Sequence, residues 1–349
     1  MSLLRILVLV LISGSTFSVA TAKAEARAEV PLEAILGDRA EFDAWAGKFR
    51  KEYSSWIDDI QQFQPSGSRI VTRTQSPYGV LHTIAFDYQK SSPLHGKVSG
   101  GILAIPKHID ATKPLVVAIH GHEHGQWEMY PDGLMVEGQW PLEFLKNGYV
   151  VWVPVSMRHS GITSLATMQG YLPIWTKEIS QGIDQIVTSK TVQVPHKGIA
   201  AVGVSSGGSI AFLLMAYRSD IQVGVFAGAQ LPLVFLRQEY RIKNHPDCWD
   251  IPKLASYTPI QALIAPRPVQ FQLGKEDPGY PNGEPFARQG DWFAGTSRDV
   301  LTDEIGGQML ILKSLWKMKG GEVSQHLHAG GHQMDIKAAL KFVSSHSGK

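Results

Sequence analysis

A single cysteine, Cys248, stands in a chain of 349 residues. No disulfide can form within the chain, and no cysteine-based zinc site can be built. A chain of this size can rely on its hydrophobic core instead. Cys248 lies in His245-Pro246-Asp247-Cys248-Trp249, without the glycine-flanked turn that would present its thiol as a nucleophile. Charge of one sign is missing too: 33 Lys and Arg face 31 Asp and Glu, a net charge of +2. These charges are mixed along the chain, with no basic run and no Arg/aromatic stripe, so nothing points to a nucleic-acid partner. Long apolar runs are scarce, and none reaches the roughly 20 residues needed to cross a bilayer. No internal repeat or low-complexity segment stands out.

The apolar run that opens the chain has another reading. Arg5 precedes Ile6–Ile12, and the small-residue triplet Ala20-Thr21-Ala22 follows. A positive start, a short apolar stretch and an Ala-x-Ala site describe a secretory signal peptide over residues 1–22. The mature protein is then expected outside the cytoplasm, secreted or periplasmic, without a stable membrane anchor.

Residues 23–66 read as a helical extension. Leu32, Ile35, Phe42, Trp45, Phe49, Tyr53, Trp56, Ile57 and Ile60 recur every three or four positions, with Gly37 and Gly47 as candidate breaks. Strand-like runs follow at Arg69–Thr74, Leu81–Tyr88 and Val98–Pro106. From Pro114 the pattern changes. Leu115–Ile119 is apolar throughout, as expected of a strand buried on both faces of a parallel sheet. Similar runs recur at Tyr149–Val155, Gly198–Val204, Val223–Ala227 and Pro268–Leu273, and Val323–His328 is the last strand candidate. Helix-like segments separate them, near Trp140–Asn147, Ile174–Thr188, Gly208–Tyr217 and Asp299–Met318. The alternation predicts an α/β fold over residues 67–349, a mostly parallel, doubly wound sheet preceded by antiparallel strands.

The pentapeptide Gly203-Val204-Ser205-Ser206-Gly207 joins one such strand to an apolar helix. At so tight a turn the central residue is strained and only small residues fit two positions to either side. Ser205 is therefore the candidate nucleophile, in preference to Ser206, which lacks the symmetric glycines. A serine hydroxyl needs an imidazole to take its proton and a carboxylate to orient that imidazole. Downstream, the strand Pro268–Leu273 ends in Gly274-Lys275-Glu276-Asp277-Pro278, with Asp277 preferred over Glu276 as the acid. The strand Val323–His328 ends in Ala329-Gly330-Gly331-His332, which offers His332 as the base. His326 and His328 alternate within that strand and read as packed or surface residues.

Oxyanion donors are expected from the backbone N–H of Ser206 and, in the loop after Leu115–Ile119, of His122. The same loop carries a rival reading. His120, His122 and His124 alternate after a buried strand, a spacing that suits a metal-dependent hydrolase, although an Asp and a final His of the zinc-binding H-x-H-x-D-H pattern are missing. The serine reading needs no metal and no cofactor.

Together these pieces resemble the α/β-hydrolase superfamily, in its dienelactone-hydrolase and acetyl xylan esterase-like branch. The residues that carry the likeness are His120-Gly121, Gly203–Gly208, Ala265-Pro266-Arg267-Pro268, Gly274–Pro278 and Gly330-Gly331-His332. In relatives the Ala-Pro-Arg-Pro run leads the strand that delivers the catalytic acid. The resemblance implies a serine esterase with Ser205, Asp277 and His332 as nucleophile, acid and base, acting on a small-molecule or polysaccharide ester. A peptidase or amidase on the same fold is the neighbouring alternative. The elbow departs from the Cys-Ser-Arg of glucuronoyl esterases. Trp127, Tyr130, Trp175, Trp249, Tyr280 and Trp292 fall near the predicted sheet edge, and Trp127, Tyr280 and Trp292 in particular are candidates to stack on substrate rings.

Overall fold

A computed structural model describes residues 36–58, 65–92, 95, 100–121, 140–155, 171–188, 194–229, 257–277 and 298–347. The expected signal peptide, His122, His124, Trp127, Tyr130, Cys248, Trp249, Tyr280 and Trp292 lie outside them.

Nine strands form one sheet in the order β1-β2-β3-β5-β4-β6-β7-β8-β9. β1 (Gly67–Gln75), β2 (Gly79–Asp87) and β3 (Gly101–Pro106) run antiparallel, and β3 pairs antiparallel with β5 (Val151–Pro154). From β5 onward every pairing is parallel, through β4 (Leu115–Ile119), β6 (Ile199–Val204), β7 (Ile221–Ala227), β8 (Val269–Gly274) and β9 (Val323–His328). This is the doubly wound, mostly parallel sheet with antiparallel leading strands that the apolar runs predicted.

Helices cover both faces. On one face α1 (Arg39–Asp58), α3 (Tyr171–Val187), α4 (Ser206–Tyr217), α5 (Thr258–Ala262) and α6 (Arg298–Lys319) pack over Leu115, Val117, Ile119, Trp152, Ala201, Phe226 and Phe271. On the other, α2 (Trp140–Lys146) and α7 (Ile336–His346) cover the alternate residues Val116, Ala118, Val151, Val202 and Val225. Successive side chains of a strand point to opposite faces, so an unbroken apolar run feeds two cores at once.

Two expectations need correction. Gly47 was a candidate break, yet α1 passes straight through it. The helix begins after Gly37, where Asp38 Oδ1 accepts the N–H groups of Ala40 and Glu41 at 2.7 and 3.1 Å. One interior glycine costs a helix about 1 kcal/mol. Burial of Phe42, Tyr53 and Ile57 in the core shared with α3 and α4 outweighs that, since each contributes roughly 1.5–3 kcal/mol. Trp175 was expected near the sheet edge, among the candidates to stack on a substrate ring. It lies within α3 at 1% exposure, its ring 5.3 Å from that of His120, and offers no open face to a ligand.

Candidate active site

The strand order reverses at β4: β5 lies on one side of it and β6 on the other. A crevice opens at such a switch point, outside the carboxyl ends of the strands. Ser205 sits there, between the end of β6 and the start of α4. Its backbone angles are φ 58 and ψ −128, and among the described residues it is the one non-glycine with positive φ. Holding a residue in so sparsely populated a region costs about 1–3 kcal/mol. The surroundings enforce it: Ser205 N–H donates to Ala227 O at 2.8 Å, and Ser209 N–H donates to Ser205 O at 3.1 Å. Close approach explains the flanking glycines. A Cβ on Gly207 would stand 2.2 Å from Ile119 O and 2.4 Å from His120 O, and one on Gly203 would stand 2.3 Å from Gly207 O.

Behind Ser205, every residue of α4 from Gly207 to Ala216 is buried. Its N-terminal peptide dipoles therefore act in a medium of low dielectric, where they favour negative charge more strongly than at a wet surface. Ser206 begins this helix, the place expected for an oxyanion donor. His120, at 1% exposure, closes β4 beside it, with Nδ1 2.8 Å from Gly121 O. His122 and His124 lie outside the described residues. No group of His, Cys, Asp and Glu among the described residues is arranged to hold a metal ion.

The structure brings Asp277 and His332 together. His332 Nδ1 stands 2.8 Å from Asp277 Oδ2. The Asp277 side chain is 3% exposed and that of His332 is 40% exposed, so the acid end is dry while the imidazole is open to solvent. The neighbouring Glu276 is exposed. Burial thus separates two adjacent carboxylates that the sequence left as alternatives.

Three further residues matter that the sequence reading passed over. Gly228 (φ +59) follows β7, where a Cβ would stand 2.8 Å from His332 Cε1 and 3.4 Å from Asp277 Oδ2. The preceding residue, Ala227, holds the Ser205 N–H, so the Ala227-Gly228 peptide touches both the serine turn and the His–Asp pair. Gln272 is fully buried in β8, and Asp335 caps α7 by accepting the Ala338 N–H at 3.1 Å. A polar residue in an otherwise apolar strand was the available signal for Gln272.

Neither His326 nor His328 joins the pair. His326 Nε2 contacts Asp335 Oδ2 at 2.8 Å, and His328 Nδ1 accepts the Gly330 N–H at 3.1 Å.

No family model and no curated protein matches the chain. Solved structures do match its architecture. A methylesterase aligns with a TM-score of 0.65 at 17% identity, over 90% of this chain and 66% of its own. This chain therefore spans just under two thirds of that protein's length. A glucuronoyl esterase from Solibacter usitatus aligns at 0.58 with 14% identity, over 87% and 93% of the two chains. An acetyl xylan esterase from Paenibacillus sp. R4 aligns at 0.51 with 14% identity, over 85% and 93%. The chain has the α/β-hydrolase fold.

Proposed function

We propose that this chain is a serine hydrolase of carboxylic esters, acting through an acyl-enzyme at Ser205. The observation that carries the reading is the His332–Asp277 hydrogen bond at 2.8 Å, set beside a serine held at positive φ at the head of a buried helix. In this reading His332 takes the proton of Ser205 as the hydroxyl attacks the ester carbonyl. Asp277 fixes the ring with Nδ1–H toward itself, leaving Nε2 to face the serine, and stabilises the imidazolium that forms. The N–H groups of Ser206 and His122 hold the oxyanion, and removing one such donor typically costs about 100- to 1,000-fold in rate. His332 then protonates the leaving alcohol, and water reverses the sequence to release the acid. The arrangement requires no metal or cofactor.

The substrate class proposed is a carbohydrate ester. Its support is that the structural neighbours named above include acetyl xylan and glucuronoyl esterases. Trp127, Tyr280 and Trp292 remain the candidates for ring stacking, and the secreted or periplasmic setting proposed rests on reading residues 1–22 as a signal peptide. The testing experiment is a screen of acetyl, feruloyl and methyl-uronate sugar esters against the wild type and Ser205→Ala. Turnover of at least one class, abolished in the variant, is expected. Hydrolysis surviving Ser205→Ala at near-normal rate would sink the serine mechanism.

A further inference from the structure

The loop that carries His332 is tied down at both ends, to β8 and to the turn Lys275–Asp277 that follows it. On its leading side, Glu276 N–H donates to Gly330 O at 3.1 Å and Lys275 N–H donates to His328 O at 2.8 Å. On its trailing side the tie is a side chain. Gln272 Oε1 accepts the Asp335 N–H at 2.8 Å, and Gln272 Nε2 donates back to Asp335 O at 3.2 Å. The second Nε2 hydrogen goes to Gln270 Oε1 at 2.8 Å. Gln272 is 0% exposed, and a buried amide left unpaired would cost free energy. Here both hydrogens and the oxygen are satisfied, which fixes the rotamer and the assignment of O and N together.

Resting on the serine-hydrolase reading, we infer that Gln272 is a positioning residue for His332. Its amide acts as a bridge rung to the backbone of Asp335, so β8 holds both the acid and the loop end that follows the base. Asp277 and His332 are thereby referred to the same strand, one through the turn that follows β8 and the other through the Asp335 backbone. The geometry needed for proton transfer is narrow, and a shift of about 1 Å in a catalytic group costs on the order of 100-fold in rate. The side chain of Asp335 has a different task. Its carboxylate caps α7 and meets His326, with His328 beside it, and neither contact reaches His332.

The test compares Gln272→Met, Gln272→Glu and Asp335→Asn in the full-length protein. Rates are normalised to folded sites counted by a fluorophosphonate, and the low-field proton signal of the His332–Asp277 hydrogen bond is followed by NMR. Gln272→Met keeps the volume and loses the rung. It should lower kcat about 10- to 100-fold with KM within about threefold, and shift or broaden the low-field proton. Gln272→Glu restores the rung while its carboxyl is protonated, and loses it on ionising beside Asp335, with His326, His328 and Asp277 the other titratable groups nearby. The ratio of its kcat to that of the wild type should therefore fall as pH rises. This variant also serves if Gln272→Met does not fold.

Asp335→Asn keeps both backbone bonds to Gln272 and should stay within about threefold of the wild-type kcat. An unchanged kcat per site and an unshifted proton in the Gln272 variants, with only lower stability, would overturn the assignment. A loss in Asp335→Asn equal to that in Gln272→Met would also overturn it. The NMR signal does not depend on turnover, so failure of the serine reading shows separately, as activity persisting in Ser205→Ala.

Discussion

The backbone of Gly228 lies against the imidazole of His332, close enough that a Cβ would stand 2.8 Å from Cε1 and 3.0 Å from Nδ1. Two physical effects forbid a side chain there. The residue has φ +59, which costs an L-residue roughly 1–2 kcal/mol, and the added methyl would displace the ring from Asp277. Gly228→Ala should accordingly lose on the order of 100-fold in kcat while its melting temperature falls by only a few degrees. Wild-type turnover in this variant would mean that His332 is not the base.

Glu178 supplies a pH prediction that concerns stability rather than catalysis. It lies in α3 at 4% exposure, and burial pushes its carboxyl up to about 8, with the Tyr88 hydroxyl acting in the opposite direction. The unfolded carboxyl titrates near 4.5. A raised folded value means that the unfolded state loses its proton first. Stability is therefore full below about 4.5 and declines as pH rises toward about 8. Each unit corresponds to about 1.4 kcal/mol, so the accumulated loss is several kcal/mol. Glu178→Gln removes this dependence. Urea midpoints of variant and wild type should diverge steadily between pH 5 and pH 8, with the variant relatively more stable at pH 8. Parallel profiles would contradict the assignment.

Arg267 explains one part of the run Ala265-Pro266-Arg267-Pro268 in physical terms. Its guanidinium donates to Met215 O at 2.6 Å, Arg218 O at 2.7 Å and Ile221 O at 3.0 Å, closing the C-terminal end of the helix that Ser205 begins. Arg50 from α1 adds a bond to Ala216 O at 2.9 Å. Desolvation holds the Arg267 guanidinium down to about 10, with the nearby Arg50 charge adding to this. The cation is nonetheless favoured there by the negative end of a buried helix dipole. Arg267→Lys offers one point donor where a planar fork served several carbonyls. It should destabilise the protein by about 2–3 kcal/mol, read as a lowered denaturant midpoint, with the activity of the remaining folded fraction retained.

The central strands β4, β5, β6 and β8 could be read from the sequence because they are buried on both faces. Leu115–Ile119 and Val323–His328 match to the residue, and the others differ at their ends by a few positions. The candidate triad was readable because strand ends bracket it in the order Ser, acid, His. What escaped reading depends on contacts between distant segments. Nothing in Ala227-Gly228-Ala229 announces that an imidazole from beyond β9 will pass over it. Gln270 and Gln272 interrupt an apolar strand, and a buried amide demands partners, but their partners become visible only once α7 is placed. Trp175 misled because an aromatic beside a predicted site resembles a stacking residue, whereas the periodicity of α3 turns it inward against His120.

The central claim is that Ser205 is a nucleophile activated by His332. The most direct measurement is the intact mass of the folded protein after reaction with a fluorophosphonate, followed by peptide mapping. One phosphonyl adduct on Ser205 is predicted, absent from Ser205→Ala and formed far more slowly in His332→Ala. A folded wild-type protein that takes up no adduct, or carries it on another residue, would contradict the account.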